Sequence, residues 1–328
     1  AIAAKTTGVV TATLAANSLS NLGALDTAST DVITVTVNDD AGDAINAEDL
    51  SALGGKTAGV VTVSNAVNIQ GTTDQVTAAL VTDDTKVIAA SATVELDDAS
   101  TVAELNAIAP KAGVITGSIA ATSLASLSDL ATAGTDVITI TVNDGAASGL
   151  SATDLSTLGG KTAGTVTVSN AVVISGTTSQ VTAALVTDDT KVTASTALVT
   201  INDANTTNIN AEDLSAIGEK TSGQVTVSNA INIQGTTDQV TAALVTDDSL
   251  VVAASATVEL DDASTVAELN AIAPKAGVIT GSIAATSLAS LSDLATAGTD
   301  VITITVNDGA ASGLSATDLS TLGGKTAG

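Results

Sequence analysis

The chain has 328 residues, 45% of them hydrophobic, and contains no Phe, Tyr, Trp, Cys, Met, His or Arg. Its net charge of −26 and pI near 4.1 leave nothing to neutralise a row of phosphates, which excludes nucleic-acid binding and adhesion to an anionic membrane. It has no apolar run of about 18 residues for membrane insertion and no charged-then-apolar signal pattern at the start, and the lack of cysteine removes disulfides and thiolate metal sites without fixing the compartment.

Taken in chain order, residues 1–8 (AIAAKTTG) match AIAPKAG at Ala107–Gly113 and read as the end of a preceding unit, in the last turns of a helix. The same stop recurs as KTAG at Gly59, KAG at Gly113, KTAG at Gly164, KTSG at Gly223, KAG at Gly277 and KTAG at Gly328, at intervals of 51, 54, 51, 59, 54 and 51 residues. Seven of the nine lysines belong to it, so repetition is the first-order fact. Residues 9–59, 114–164 and 278–328 form repeat type X. Residues 60–113, 224–277 and, as a variant, 165–223 form type Y. Ala89–Gly164 is identical to Ala253–Gly328. A chain that opens in a helix end and stops where a strand should begin is expected to be an internal excerpt of a longer solenoid, with open ends prone to self-association.

Within a unit, Val137–Gly164 is the clearest coil. Val137–Val142 alternates branched apolar residues with Thr at the period of a strand, Asn143-Asp144-Gly145 breaks it, and Ser151-x-x-Asp154 reads as a capping box with Leu155 and Leu158 at helical spacing. Lys161 and Gly164 then suit the end of a helix, the cation by the helix dipole and the glycine as a left-handed cap. Further boxes begin at Asn46, Thr72, Thr101, Thr177, Asn210, Thr236 and Ser315, and the triplets Val102/Leu105/Ile108 and Leu124/Leu127/Leu130 turn one helix side inward. Pro110 and Pro274 fall at matching helix ends.

About twelve strand-then-helix coils of roughly 25 to 30 residues follow, each too short to bury its own face, so the expected fold is one continuous repeat solenoid. It stacks parallel β-strands with a short helix or turn in each coil, an α/β solenoid some 55 to 60 Å long at about 4.8 Å per strand. An all-β right-handed parallel β-helix is the alternative.

The chemistry available is confined to carboxylates, lysines and hydroxyls, which points away from an enzyme. The GGKT strings at Gly54 and Gly159 lack the upstream glycine of a phosphate loop. Acidic pairs are the candidate binding signal: Asp39/Asp40, Asp83/Asp84, Asp188/Asp189 and Asp247/Asp248 at turns, with Asp97/Asp98 recurring as Asp261/Asp262. Stacking could align their oxygens as ligands for Ca²⁺, and the same residues serve equally as turn formers and solubilising charge. The calcium-binding repeat G-G-x-G-x-D is absent. The pairs Thr34/Thr36, Thr139/Thr141 and Thr303/Thr305 have the form of a flat ice-binding face and also that of an ordinary solvated strand.

The near-identical TAAL and KTTG-like units, acidic and without aromatics or cysteine, resemble the repeat regions of giant bacterial cell-surface and secreted proteins. They are closest to those of marine cyanobacteria, including the swimming-associated giant surface proteins of Synechococcus, with large calcium-dependent adhesins more distant. The resemblance implies an extracellular or cell-surface location, a structural role as a rod, fibre or filament, and Ca²⁺ as the one cofactor to consider. A calcium-stabilised adhesin stalk is the alternative. The partners it implies are further repeats, by coil stacking and lateral fibre packing.

Overall fold

In the computed structural model, residues 5–82, 86–187, 191–246, 250–309 and 313–328 are described. Strands and helices alternate along them. Residues 9–59 contain β1 (Thr11–Thr13), α1 (Leu19–Leu22), β2 (Val32–Val37), β3 (Ala44–Asn46) and α2 (Ala47–Gly54). Residues 60–113 contain β4 (Val61–Val63), β5 (Asn68–Gly71), α3 (Thr73–Leu80), β6 (Val87–Ile88), β7 (Thr93–Ser100) and α4 (Val102–Ile108). Then come β8 (Val114–Ile119), α5 (Leu124–Leu127), β9 (Val137–Val142), β10 (Gly149–Ser151) and α6 (Ala152–Gly159). Residues 165–223 hold β11 (Val166–Val168), β12 (Val173–Gly176), α7 (Thr178–Leu185), β13 (Val192–Thr193), β14 (Leu198–Ile201), β15 (Asn208–Asn210) and α8 (Ala211–Gly218). Residues 224–277 hold β16 (Val225–Val227), β17 (Asn232–Gly235), α9 (Thr237–Leu244), β18 (Val251–Val252), β19 (Thr257–Ser264) and α10 (Val266–Ile272). The last repeat has β20 (Val278–Ile283), α11 (Leu288–Leu291), β21 (Val301–Thr303) and α12 (Ala316–Gly323).

The chain divides into two compact units, residues 1–143 with 157–167 and residues 144–156 with 168–328. In the first, parallel strands run in the order β1-β2-β4-β6 in one sheet and β3-β5-β7-β8-β9 in another. In the second, β10-β12-β14-β16-β18 and β15-β17-β19-β20-β21 are each parallel five-stranded sheets. Paired residues lie between 19 positions apart, as Ala99 with Ser118, and 26, as Val61 with Val87, so the coils fall at the short end of the length expected from the sequence or below it.

Parallel register stacks like on like. Ile45, Ile69, Val94 and Ile115 form one buried row in the first unit, and Ile209, Ile233, Val258 and Ile279 repeat it in the second. Each fully buried Val or Ile contributes about 1.5–3 kcal/mol of transfer free energy. Beneath the rows lie helices of eight residues or fewer, too short to persist alone, held by their buried leucines and by caps. Full capping boxes close at Thr72/Gln75, Thr101/Glu104, Thr177/Gln180 and Thr236/Gln239. Asn46 and Ser315 cap with their own side chains, whereas Asn210 makes no side-chain cap bond. After α4 and α10 the proline starts a single 3₁₀ turn, Ala109–Lys111 and Ala273–Lys275. These helices are a regular part of the fold, which sets aside the all-β alternative.

The stop motif needs correcting. α6 ends at Gly159, ahead of Lys161, and none of the motif's glycines is among the positive-φ residues, so Gly164 is no left-handed cap. A Cβ at Gly59 or Gly164 would instead run into the backbone of Ile33 or Ile138, one strand back. Only glycine allows that approach.

Candidate functional site

The acidic turns meet helix N-termini, where backbone N–H groups have no partner within the helix. Asp98 Oδ1 accepts from the Thr73 N–H and the Thr73 hydroxyl, both at 2.7 Å, and Thr73 Oγ1 lies 2.6 Å from the buried Ser100 hydroxyl. Asp262, Thr237 and Ser264 repeat these three contacts at the same distances. Asp203 accepts from the Thr178 N–H at 2.6 Å and its hydroxyl at 2.8 Å. Asp39 and Asp308 take the Leu19 and Leu288 N–H groups at 2.7 and 2.8 Å. The arrangement places a negative charge from one coil at the positive end of a helix 20 to 25 positions earlier. The Thr73 backbone N–H, then its hydroxyl, hold the Asp98 carboxyl below the ordinary Asp value, and Thr237 does the same for Asp262.

Of the other expected ligands, Asp40, Asp97 and Asp261 are exposed, and Asp40 donates its N–H to Asp43 at 3.2 Å. Asp83, Asp84, Asp188, Asp189, Asp247 and Asp248 lie outside the described residues. Among the described residues no group of three or more carboxylates converges as a metal site would require. The threonine pairs do not build a long hydroxyl array in the first unit: Thr34 sits beside Thr13, while the row from Thr36 and Thr62 ends on Ile88.

Sequence reasoning missed a second set of polar residues. Asp31, Asp136 and Asp300 are buried, yet both oxygens of each are used. Asp136 Oδ1 accepts from the Ile115 N–H at 2.9 Å, one strand back, and Oδ2 from the Ala133 N–H at 2.8 Å; Asp31 and Asp300 repeat the pair with Val10 and Ala28, and with Ile279 and Ala297. A signal was present: an Asp immediately precedes the Val-Ile-Thr that opens at Val32, Val137 and Val301, whereas the Val-Ile-Thr strands at Val114 and Val278 follow Gly. The stop motif carries the rest. Thr162 Oγ1 accepts from the Ile138 and Gly164 N–H groups at 2.9 and 2.8 Å and contacts the Asp136 and Ile138 carbonyls. Thr57 and Thr326 do likewise. Lys161 donates to the carbonyls of Ser128 and Leu130, and Lys56 to that of Gly23 at 2.6 Å, at the C-terminal ends of α5 and α1.

An exposed amide row completes the geometry. Gln70 and Asn68 donate to Glu95 Oε2 at 2.7 and 2.9 Å, and Gln234 and Asn232 to Glu259 Oε2 at 2.7 and 3.2 Å. These bonds hold both glutamates below the ordinary Glu value, led by Asn68 for Glu95 and by Gln234 for Glu259.

Comparison with protein-family models, with curated proteins and with solved structures returned no match. Among the described residues no helix is long and apolar enough to cross a membrane.

Proposed function

We propose that these residues are a non-enzymatic structural segment of a giant extracellular repeat protein, a solenoid whose stacked coils build a rod, fibre or cell-surface filament. The observation that carries the reading is the recurrence of one bond set. Asp31, Asp136 and Asp300, with Thr57, Thr162 and Thr326, each join a strand to the one before it through the same atoms. Groups that would otherwise be available for chemistry are engaged in fixing coil to coil, at equivalent positions in every X repeat. An arrangement repeated in this way makes length rather than a single cleft, and small branched side chains suit it. The reading is tested on cells that make the protein, with antibody raised against this chain. Labelling of intact, unpermeabilised cells or of shed filaments is expected; signal confined to permeabilised cells would overturn it.

A further inference from the structure

Seventeen asparagines are spread along the chain, and only one has Ser or Thr two positions after it, Asn205 in Asn205-Thr206-Thr207. The triplet lies in the turn that leads into β15. Its counterparts at residues 38–43 and 143–148 read Asn-Asp-Asp-Ala-Gly-Asp and Asn-Asp-Gly-Ala-Ala-Ser, whereas residues 202–207 read Asn-Asp-Ala-Asn-Thr-Thr. All three turns dock alike, the N–H of Gly42, Ala147 or Thr206 donating to the carbonyl of Ala66, Ala171 or Ala230. Of these three, only the last puts a β-branched residue in the left-handed region, Thr206 with a φ of 65°. The triplet therefore sits where it worsens the local fit, and backbone strain of this kind concentrates at functional positions.

The geometry leaves the reactive atoms of the triplet open. Ala204, Asn205 and Thr206 are exposed, with Asp203 and Thr207 half-buried on either side. Asn205 Oδ1 accepts from the Ala230 N–H at 3.1 Å, and because only the oxygen of a carboxamide can meet an N–H, this bond fixes which end is held. Asn205 Nδ2 has no hydrogen-bond partner among the described residues, and neither has the Thr207 hydroxyl. Asp203 engages Thr178 through Oδ2 alone, which leaves Oδ1 for a cationic group of an enzyme. We propose that Asn205 is the acceptor of an N-linked glycan, since Asn-x-Thr in an exposed turn is what an oligosaccharide transferase modifies in a secreted chain. The step joins Asn205 Nδ2 to the anomeric carbon of a saccharide carried on a lipid diphosphate. That carbon's bond to the diphosphate oxygen breaks, and the lipid diphosphate leaves together with one amide proton. Such transfer is made to exported chains, so the inference rests on the extracellular part of the proposed function.

The test is mass spectrometry of the chain isolated from cells that make it, after cleavage at lysine. Lys191 and Lys220 bound a single peptide, residues 192–220, that holds Asn205 together with Asn202, Asn208 and Asn210 as internal controls without the triplet. A population of this peptide heavier by a saccharide, with the added mass on Asn205 in its fragments, is expected. Thr207→Ser should keep the added mass, and Thr207→Ala and Asn205→Gln should lose it; the two Thr207 variants share any effect on folding, because the backbone bond of Thr207 to Ala204 survives both. A saccharide on a Thr hydroxyl, or one that persists in Asn205→Gln, would overturn the proposal. Antibody labelling of the same cells separates the two ideas. Surface-labelled chain with only unmodified peptide refutes the glycan alone, and signal confined to permeabilised cells with unmodified peptide refutes both.

Discussion

Thr206 has a φ of 65° in a turn where its counterparts are Gly42 at 87° and Ala147 at 64°. The turn demands the left-handed region because the N–H at this position donates across to Ala66, Ala171 or Ala230, at 2.8 to 2.9 Å. A β-branched side chain there is strained, at a cost on the order of 1 kcal/mol. Thr206→Gly should therefore raise stability by roughly 0.5–1 kcal/mol, less than the full strain because glycine frees the unfolded chain; the urea midpoint measures it, and a fall would contradict the strain assignment. The bonded carboxylates give a second expectation. Asp98, Asp262, Glu95 and Glu259 all have folded values below the ordinary 3.8 or 4.5, so their contribution is complete above those values and is lost as pH falls through the depressed ones. Thermal scans from neutral to acid pH should show Asp98→Asn with Asp262→Asn losing less stability on acidification than the parent. An identical acid limb would mean the helix-capping bonds do not form in solution.

Strands and capped helices were legible element by element, since their signals lie within four residues of one another. Ile138, Ile140 and Val142 are buried as the alternation at Val137–Val142 requires, and the Thr-x-x-Gln and Thr-x-x-Glu boxes close as spaced. The stop motif was misread for the complementary reason. Lys161, Thr162 and Gly164 are adjacent in sequence to a helix, but their partners are the carbonyl of Ser128 and the backbone of Ile138, 33 and 24 positions away. Nothing local distinguishes a helix stop from a cross-coil clamp. Thr162→Val keeps the shape and removes the acceptor, leaving the buried Ile138 N–H unpaired and the Gly164 N–H without its 2.8 Å bond. It should cost about 2–3 kcal/mol, at the upper end for one buried unsatisfied donor. Denaturant unfolding is the measurement, and a loss under about 0.5 kcal/mol, the range of an ordinary surface change, would remove the clamp from the account.

At the scale of the whole molecule, two stretches of identical sequence sit in different surroundings, and that difference is what no pattern in the sequence can reveal. The periodicity at Leu155 and Leu158 is the periodicity at Leu319 and Leu322, letter for letter. Yet Leu155 is 0% exposed and Leu319 39%. Because the neighbours along the chain are the same, helix propensity, capping and unfolded-state terms cancel between the two sites, and only the tertiary environment remains. Leu155→Ala should cost about 2–4 kcal/mol, as a transfer loss plus a cavity that surrounding side chains only partly fill. Leu319→Ala should cost under about 1 kcal/mol, since a large part of its surface already meets water. Repeat arrays do not always unfold in one step, so the comparison is best made by native-state hydrogen exchange, reading the amides of α6 and of α12 separately. A much larger loss at Leu155 is the expected result. Equal losses would mean that the final coil is covered in solution by something else, and that its exposed leucines do not describe the free chain.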